Sequence, residues 1–121
     1  MRLCIVGAMM GLALSAQMVA GPALADTILV MFEQKGCAYC RRWDNEVSQA
    51  YANSAEGRQA PLRRLDIHDP IPADLAITRP VQFTPTFVLV EDGAEIGRIE
   101  GYPGEAFFWG LLDQMLGELR Q

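Results

Sequence analysis

Apolar and polar positions change period several times along the chain, and each change marks an element. Residues 27–32 (TILVMF) form an unbroken apolar run, the pattern of a strand buried on both faces. Gly36 breaks the run. From Cys37 onward apolar residues recur at three- and four-residue steps (Cys40, Trp43, Val47, Ala50, Tyr51), with Arg42, Asp44, Asn45, Ser48 and Gln49 on the other face. That period predicts an amphipathic helix carrying the cysteines in its first turn. Residues 53–60 are small and polar and read as a loop, and residues 62–67 read as a second strand. Asp69-Pro70 and Pro72 open a short helix expected over residues 73–78, stopped by Pro80. Residues 86–90 (TFVLV) form a strand, Asp92-Gly93 signals a hairpin turn, and residues 95–99 return as the partner strand. After breaks at Gly101 and Gly104, Phe108, Leu111, Leu112, Met115 and Leu119 mark the buried stripe of a last helix over residues 105–119. The order β-α-β-α-β-β-α predicts an α/β domain: one four-stranded mixed sheet, built from a parallel unit and an antiparallel hairpin, with helices on both faces.

Residues 1–25 follow a different pattern. Arg2 precedes a nearly uncharged apolar run over residues 3–19, and Ala23-Leu24-Ala25 supplies small residues where a signal peptidase reads. Cleavage after Ala25 is expected, leaving residues 26–121 as a single exported domain. The competing reading is an uncleaved anchor, which Gly21 and Pro22 interrupt before the run securely spans a bilayer. Cys4, one of three cysteines, departs with the leader and leaves Cys37 and Cys40 as the only thiols. Of ten basic residues Arg2 departs too, so nine face fifteen acidic ones. That negative balance argues against nucleic-acid binding.

The pair in "KGCAYCRR" admits three readings. As a staple it is poorly placed, because closing a four-residue loop is worth roughly 2 kcal/mol against about 3 for fifteen residues. As a metal site it lacks ligands: only His68 could join the two thiolates on zinc, although copper(I) tolerates fewer. As a redox centre it is well placed. A thiolate at a helix N-terminus is stabilised by unpaired N–H groups and the helix dipole, so Cys37 is expected to be the reactive thiol. Cys40, one turn inside on the apolar stripe, is expected to be protected until Cys37 has formed a mixed disulfide. Lys35, Arg41 and Arg42 either add positive potential near Cys37 or form a solvated face. His68 is expected to be a solvated loop histidine. Trp43 reads as core, and Phe107, Phe108 and Trp109 cannot all share one side of a helix.

A strand ending in FEQKGC, a CxxC opening a helix and a later TPT entering a strand resemble the thioredoxin superfamily over nearly the whole of residues 26–121. More narrowly, "FEQKGCAYCRRWDNEV", "FTPTFVLVEDGAEIGRIEGYPG" and the leader resemble the short periplasmic SoxS- and SoxW-type thioredoxin-like proteins associated with bacterial thiosulfate oxidation. The resemblance implies a thioredoxin-like fold and a periplasmic thiol-disulfide oxidoreductase, with Cys37 attacking a partner disulfide and Cys40 resolving it. It implies that Pro85 is a cis-proline facing the CxxC loop, that Thr84 offers backbone hydrogen bonds to substrate, and that Tyr39 occupies the variable dipeptide that tunes the site. Gly101 and Tyr102 are implied to shape a loop beside it. It also implies a membrane electron donor of the CcdA or DsbD type, since no nucleotide or flavin motif is present and no cofactor is expected. The implied substrate is an exported protein disulfide, the sulfur carrier of thiosulfate oxidation first and an apocytochrome c thiol pair second. A thiol oxidase with the same residues, and a copper(I)-binding or regulatory interaction module, are the alternatives. An isomerase is disfavoured, because no room remains for a dimerisation domain, and a monomer is expected. The chain departs from thioredoxin in having Gly36 where a tryptophan precedes the first cysteine, and Met31 where a buried acid stands. Glu33, of the same strand parity as Met31, is the candidate for proton transfer in place of that acid.

Overall fold

The computed structural model describes residues 26–119; the leader expected over residues 1–25 lies outside them. Four strands, β1 (Thr27–Glu33), β2 (Leu62–Asp66), β3 (Thr86–Glu91) and β4 (Ala94–Glu100), form one sheet in the order β2-β1-β3-β4. β1 runs parallel to β2 and antiparallel to β3, and β3 runs antiparallel to β4. The apolar run of β1 holds the sheet's centre because it can be buried on both faces, and Leu29, Val30 and Met31 have no exposed surface. Asp92 and Gly93 both take positive φ in the β3–β4 turn, which their residue types tolerate.

The helices are α1 (Ala38–Trp43), a π turn over Asp44–Ser48, α2 (Gln49–Ala52), α3 (Ala55–Gln59) and α4 (Glu105–Glu118). All their buried side chains join one cluster. Cys40, Trp43, Val47 and Tyr51 from the first helical segment, and Phe108, Leu112 and Leu116 from α4, pack on Leu29, Met31, Phe87 and Leu89. The helices therefore lie on one sheet face. The other face, bearing Val30, Phe32, Val88 and Val90, is covered by Leu75, Ile77 and Val81 from residues that form no helix.

This differs from the expected helix over residues 73–78, and with it from helices on both faces. A six-residue helix between prolines has too few propagating hydrogen bonds to offset nucleation. A sheet edge instead satisfies its backbone: Ala76 N–H bonds Gly93 O at 2.7 Å, and Glu95 N–H bonds Ala76 O at 3.1 Å. The expected loop over residues 53–60 contains α3, which Ser54 caps by accepting the Gly57 N–H at 2.9 Å. Two apolar positions expected in buried stripes, Ala50 and Leu111, are exposed, and Leu116 fills the α4 stripe instead.

Candidate redox site

β1 is antiparallel to β3, so the C-terminus of β1 meets the N-terminus of β3, where Phe32 pairs with Thr86. It is parallel to β2, so both strands end together, and Ile67 N–H bonds Glu33 O at 2.9 Å. β4 returns to the same place, where Thr86 pairs with Glu100 and Gly101 N–H bonds Pro85 O at 2.7 Å. Four connections thereby converge on one end of the sheet: residues 34–37, 67–69, 84–85 and 101–103.

Cys37 and Cys40 lie there, joined as a disulfide with Cα atoms 5.2 Å apart. Cys37 is the N-cap of α1, and its Sγ accepts the Cys40 N–H at 3.1 Å. The sulfur thus takes a place usually held by a serine or aspartate oxygen, where a thiolate gains most from the N–H donor. Cys37 is half-buried, whereas Cys40 is 4% exposed and belongs to the helix-face core. Between them the exposed Tyr39, 58% accessible, points away from the core. The Thr84–Pro85 peptide is cis. Thr84 lines a groove of about 330 Å³ with Tyr39, Glu100, Tyr102 and Pro103.

A second cleft of about 320 Å³ reaches Cys40 past Glu33, Arg41, Asp44 and Asp66. Glu33 is committed to an ion pair: Arg64 Nη1 donates to its Oε2 at 2.7 Å, while Arg64 Nη2 donates to Asp44 Oδ1 at 2.6 Å. Arg64 is the β-sheet partner of Met31, with Nη1 3.7 Å from the Met31 sulfur, and its guanidinium carbon lies 5.6 Å from the Trp43 ring centroid. Burial opposes its charge, but hydrogen bonds to Asp44 and Glu33 prevail and hold its pKa above the ordinary value. Where thioredoxins bury an acid, this chain has a methionine with a cation beside it. A larger hollow of about 550 Å³ lies against Phe32, Ile71, Ile77 and Val81 and contains neither cysteine, so size does not mark the chemistry.

Of the expected positive charges near Cys37, Lys35 is exposed and Arg41 lines the cleft. Arg42 turns to Glu46 at 2.9 Å and sits 5.7 Å from the Tyr102 ring centroid. Tyr102 O–H donates to Glu46 Oε2 at 2.5 Å, tying the loop after β4 to the helix that carries the cysteines. Burial, then this bond, pushes the Tyr102 pKa up, and the bonds from Tyr102 and Arg42 hold the Glu46 carboxyl below its usual range. Sequence reasoning missed Arg64, Glu46 and Gln34. Arg64 and Glu46 look like any charge on an exposed face, and Gln34 carries no signal beyond its place between a strand and the CxxC.

The thioredoxin-like domain family matches residues 14–116. Among solved structures, the chain is similar to the periplasmic thioredoxin SoxS from Paracoccus pantotrophus in its reduced form. The two are 53% identical, with 77% of this chain and 98% of that one covered and a TM-score of 0.75. It is also similar to Fasciola hepatica thioredoxin, at 26% identity over 74% of this chain and 80% of that one, with a TM-score of 0.55. Comparison with curated proteins found no match.

Proposed function

The chain belongs to the thioredoxin-like domain family and is a thiol-disulfide oxidoreductase, and from that premise we propose that it works in the periplasm as a reductase of disulfides on exported partner proteins. In the reduced protein the Cys37 thiolate attacks one sulfur of the partner disulfide, and the other partner sulfur leaves as a thiolate. Cys40 then loses its proton into the cleft lined by Glu33 and Asp44 and attacks Cys37 Sγ. This expels the second partner sulfur and leaves the Cys37–Cys40 disulfide. Two electrons pass to the partner, whose thiolates take up two protons. A membrane protein of the CcdA or DsbD type, carrying a dithiol, returns the pair to the reduced state. The preferred partner is the sulfur carrier of thiosulfate oxidation, with an apocytochrome c thiol pair second. Thr84, Pro85 and Tyr39 border the place where the partner chain would lie beside Cys37.

The observation that carries the order of attack is the difference between the cysteines: one caps a helix and is half-buried, the other is buried one turn inside. The periplasmic location draws on the similarity to SoxS, a periplasmic thioredoxin. Direction is tested by the reduction potential, measured by thiol alkylation in dithiothreitol or glutathione buffers. A value near or below about −200 mV supports a reductase, and one near about −120 mV makes the protein an oxidant.

A further inference from the structure

One line of side-chain hydrogen bonds crosses three of the four connections at the redox end of the sheet. His68 Nε2 lies 3.0 Å from Gln34 Oε1, and Gln34 Nε2 donates to Thr84 Oγ1 at 2.8 Å. Gln34 stands three residues before Cys37, and Thr84 faces the groove beside Tyr39.

The hydrogen-bond capacities of these groups permit two arrangements. A glutamine amide has one accepting end and one donating end, a threonine hydroxyl has a single proton, and an imidazole Nε2 donates or accepts when neutral but only donates when charged. In the first arrangement His68 donates to Gln34 and Gln34 donates to Thr84, so the threonine proton is free to point into the groove. In the second the amide is reversed: it donates to His68 and takes the threonine proton, and the groove loses its donor. An imidazolium has no lone pair at Nε2 and forbids the second arrangement.

We propose that Gln34 and His68 are positioning residues that present the Thr84 hydroxyl as a donor to an acceptor on the bound polypeptide, a backbone carbonyl or carboxylate, and that protonation of His68 locks this arrangement. The proposal rests on the reading of Thr84 as a substrate contact. A charged imidazole at His68 therefore strengthens the grip on a polypeptide partner. The charged groups near His68 are Asp66, whose Oδ1 accepts the His68 backbone N–H at 2.8 Å, Asp69 on the same turn, and Glu33 and Lys35 flanking Gln34. None of them carries the Gln34 bond.

The test compares pre-reduced protein reacting with oxytocin, a soluble peptide closed by one disulfide, and with 2-hydroxyethyl disulfide, which has no carbonyl or carboxylate. The ratio of the two second-order rate constants cancels the ionisation of Cys37. In the wild type this ratio is expected to rise about threefold to tenfold from pH 8 to pH 5.5, the value of one hydrogen bond. Lysine only donates, so His68→Lys should hold the high ratio at every pH. His68→Leu and Gln34→Leu should each make the ratio independent of pH, because a leucine cannot couple the imidazole charge to the Thr84 proton. A wild-type ratio that does not change with pH, or leucine variants that reproduce the wild-type rise, overturns the proposal. Thr84→Val separates the two failures. If its ratio follows the wild type, Thr84 does not contact the peptide; if it falls while the leucine variants behave as wild type, the contact stands and the relay is wrong.

Discussion

Arg64 has to satisfy two carboxylates and a π face at once, and both carboxylates line the cleft that reaches Cys40. Its side chain is about one-third exposed, so solvent screens the pair energies and the loss on Arg64→Gln should be about 1 kcal/mol in chemical denaturation. The effect on chemistry should be larger. Without the cation, Glu33 and Asp44 present two uncompensated negative charges to the cleft that reaches Cys40, and like charges disfavour a thiolate. Resolution of a mixed disulfide by Cys40, followed by stopped flow at pH 7, is expected to slow about threefold to tenfold, with the deficit shrinking as the pH rises. Glu33→Gln removes one of those charges and should partly restore the rate in the Arg64→Gln background. A double variant no faster than the single would place the proton path elsewhere.

At the scale of elements, two glycines illustrate how the same substitution meets different neighbours. A methyl group on Gly57 in α3 would sit 1.9 Å from the Tyr51 carbonyl oxygen, which is backbone and cannot yield without shifting α2. One on Gly97 in β4 would meet the Met115 sulfur of α4 at 2.7 Å, the mobile end of an unbranched chain. Gly57→Ala should therefore cost about 2 kcal/mol or more and Gly97→Ala less than about 1, read as midpoint shifts in urea. Legibility in the sequence follows the same division between local pattern and distant contact. β1, β3, β4, the CxxC helix and α4 were readable because each carries its own period or turn signal. The segment over residues 73–78 was not, because its hydrogen bonds go to Gly93 and Glu95, residues that only the folded sheet brings near. The site divides likewise. Cys37 and Cys40 announce themselves by spacing, whereas Gln34, Glu46 and Arg64 acquire partners 50, 56 and 31 residues away in Thr84, Tyr102 and Glu33.

For the whole molecule, the two faces of the sheet should differ in stability. One is sealed by helices through an aromatic cluster in which Trp43, Phe87 and Phe108 stand 4.9–5.7 Å apart. The other relies on an irregular cover pinned by a buried pair: Arg98 and Glu95, 5% and 4% exposed, bond each other at 2.7 Å and hold Arg79 O, Pro80 O and Thr78 N–H. Hydrogen exchange is expected to open residues 67–81 before the helix-covered core, with the bonded amides of Ala76 and Thr78 the slowest of that segment. Burial works to raise the Glu95 pKa, but the bonds from Arg98 and Thr78 outweigh it and hold the carboxyl below its usual range. A depressed carboxylate stabilises the fold above the unfolded value of about 4.3 and loses that contribution as the pH falls through the folded one. Glu95→Gln should therefore cost about 2 kcal/mol at pH 7, where it leaves Glu100 at 3.6 Å as the remaining carboxylate beside the buried guanidinium, and flatten the fall in stability between pH 5 and 3.

The place of Trp43 gives the molecule an optical property. Its indole is wholly buried one helical turn from Cys40, in the same cluster as that sulfur. Disulfides quench indole emission on contact, and thiols do so less. Reduction of the pair should therefore brighten this tryptophan, and the half-buried Trp109, on a different helix, should change little. Trp43→Phe would abolish the signal and Trp109→Phe would leave it. The natural chain then reports its own oxidation state in real time, without a dye, through the side chain that closes the core behind the disulfide.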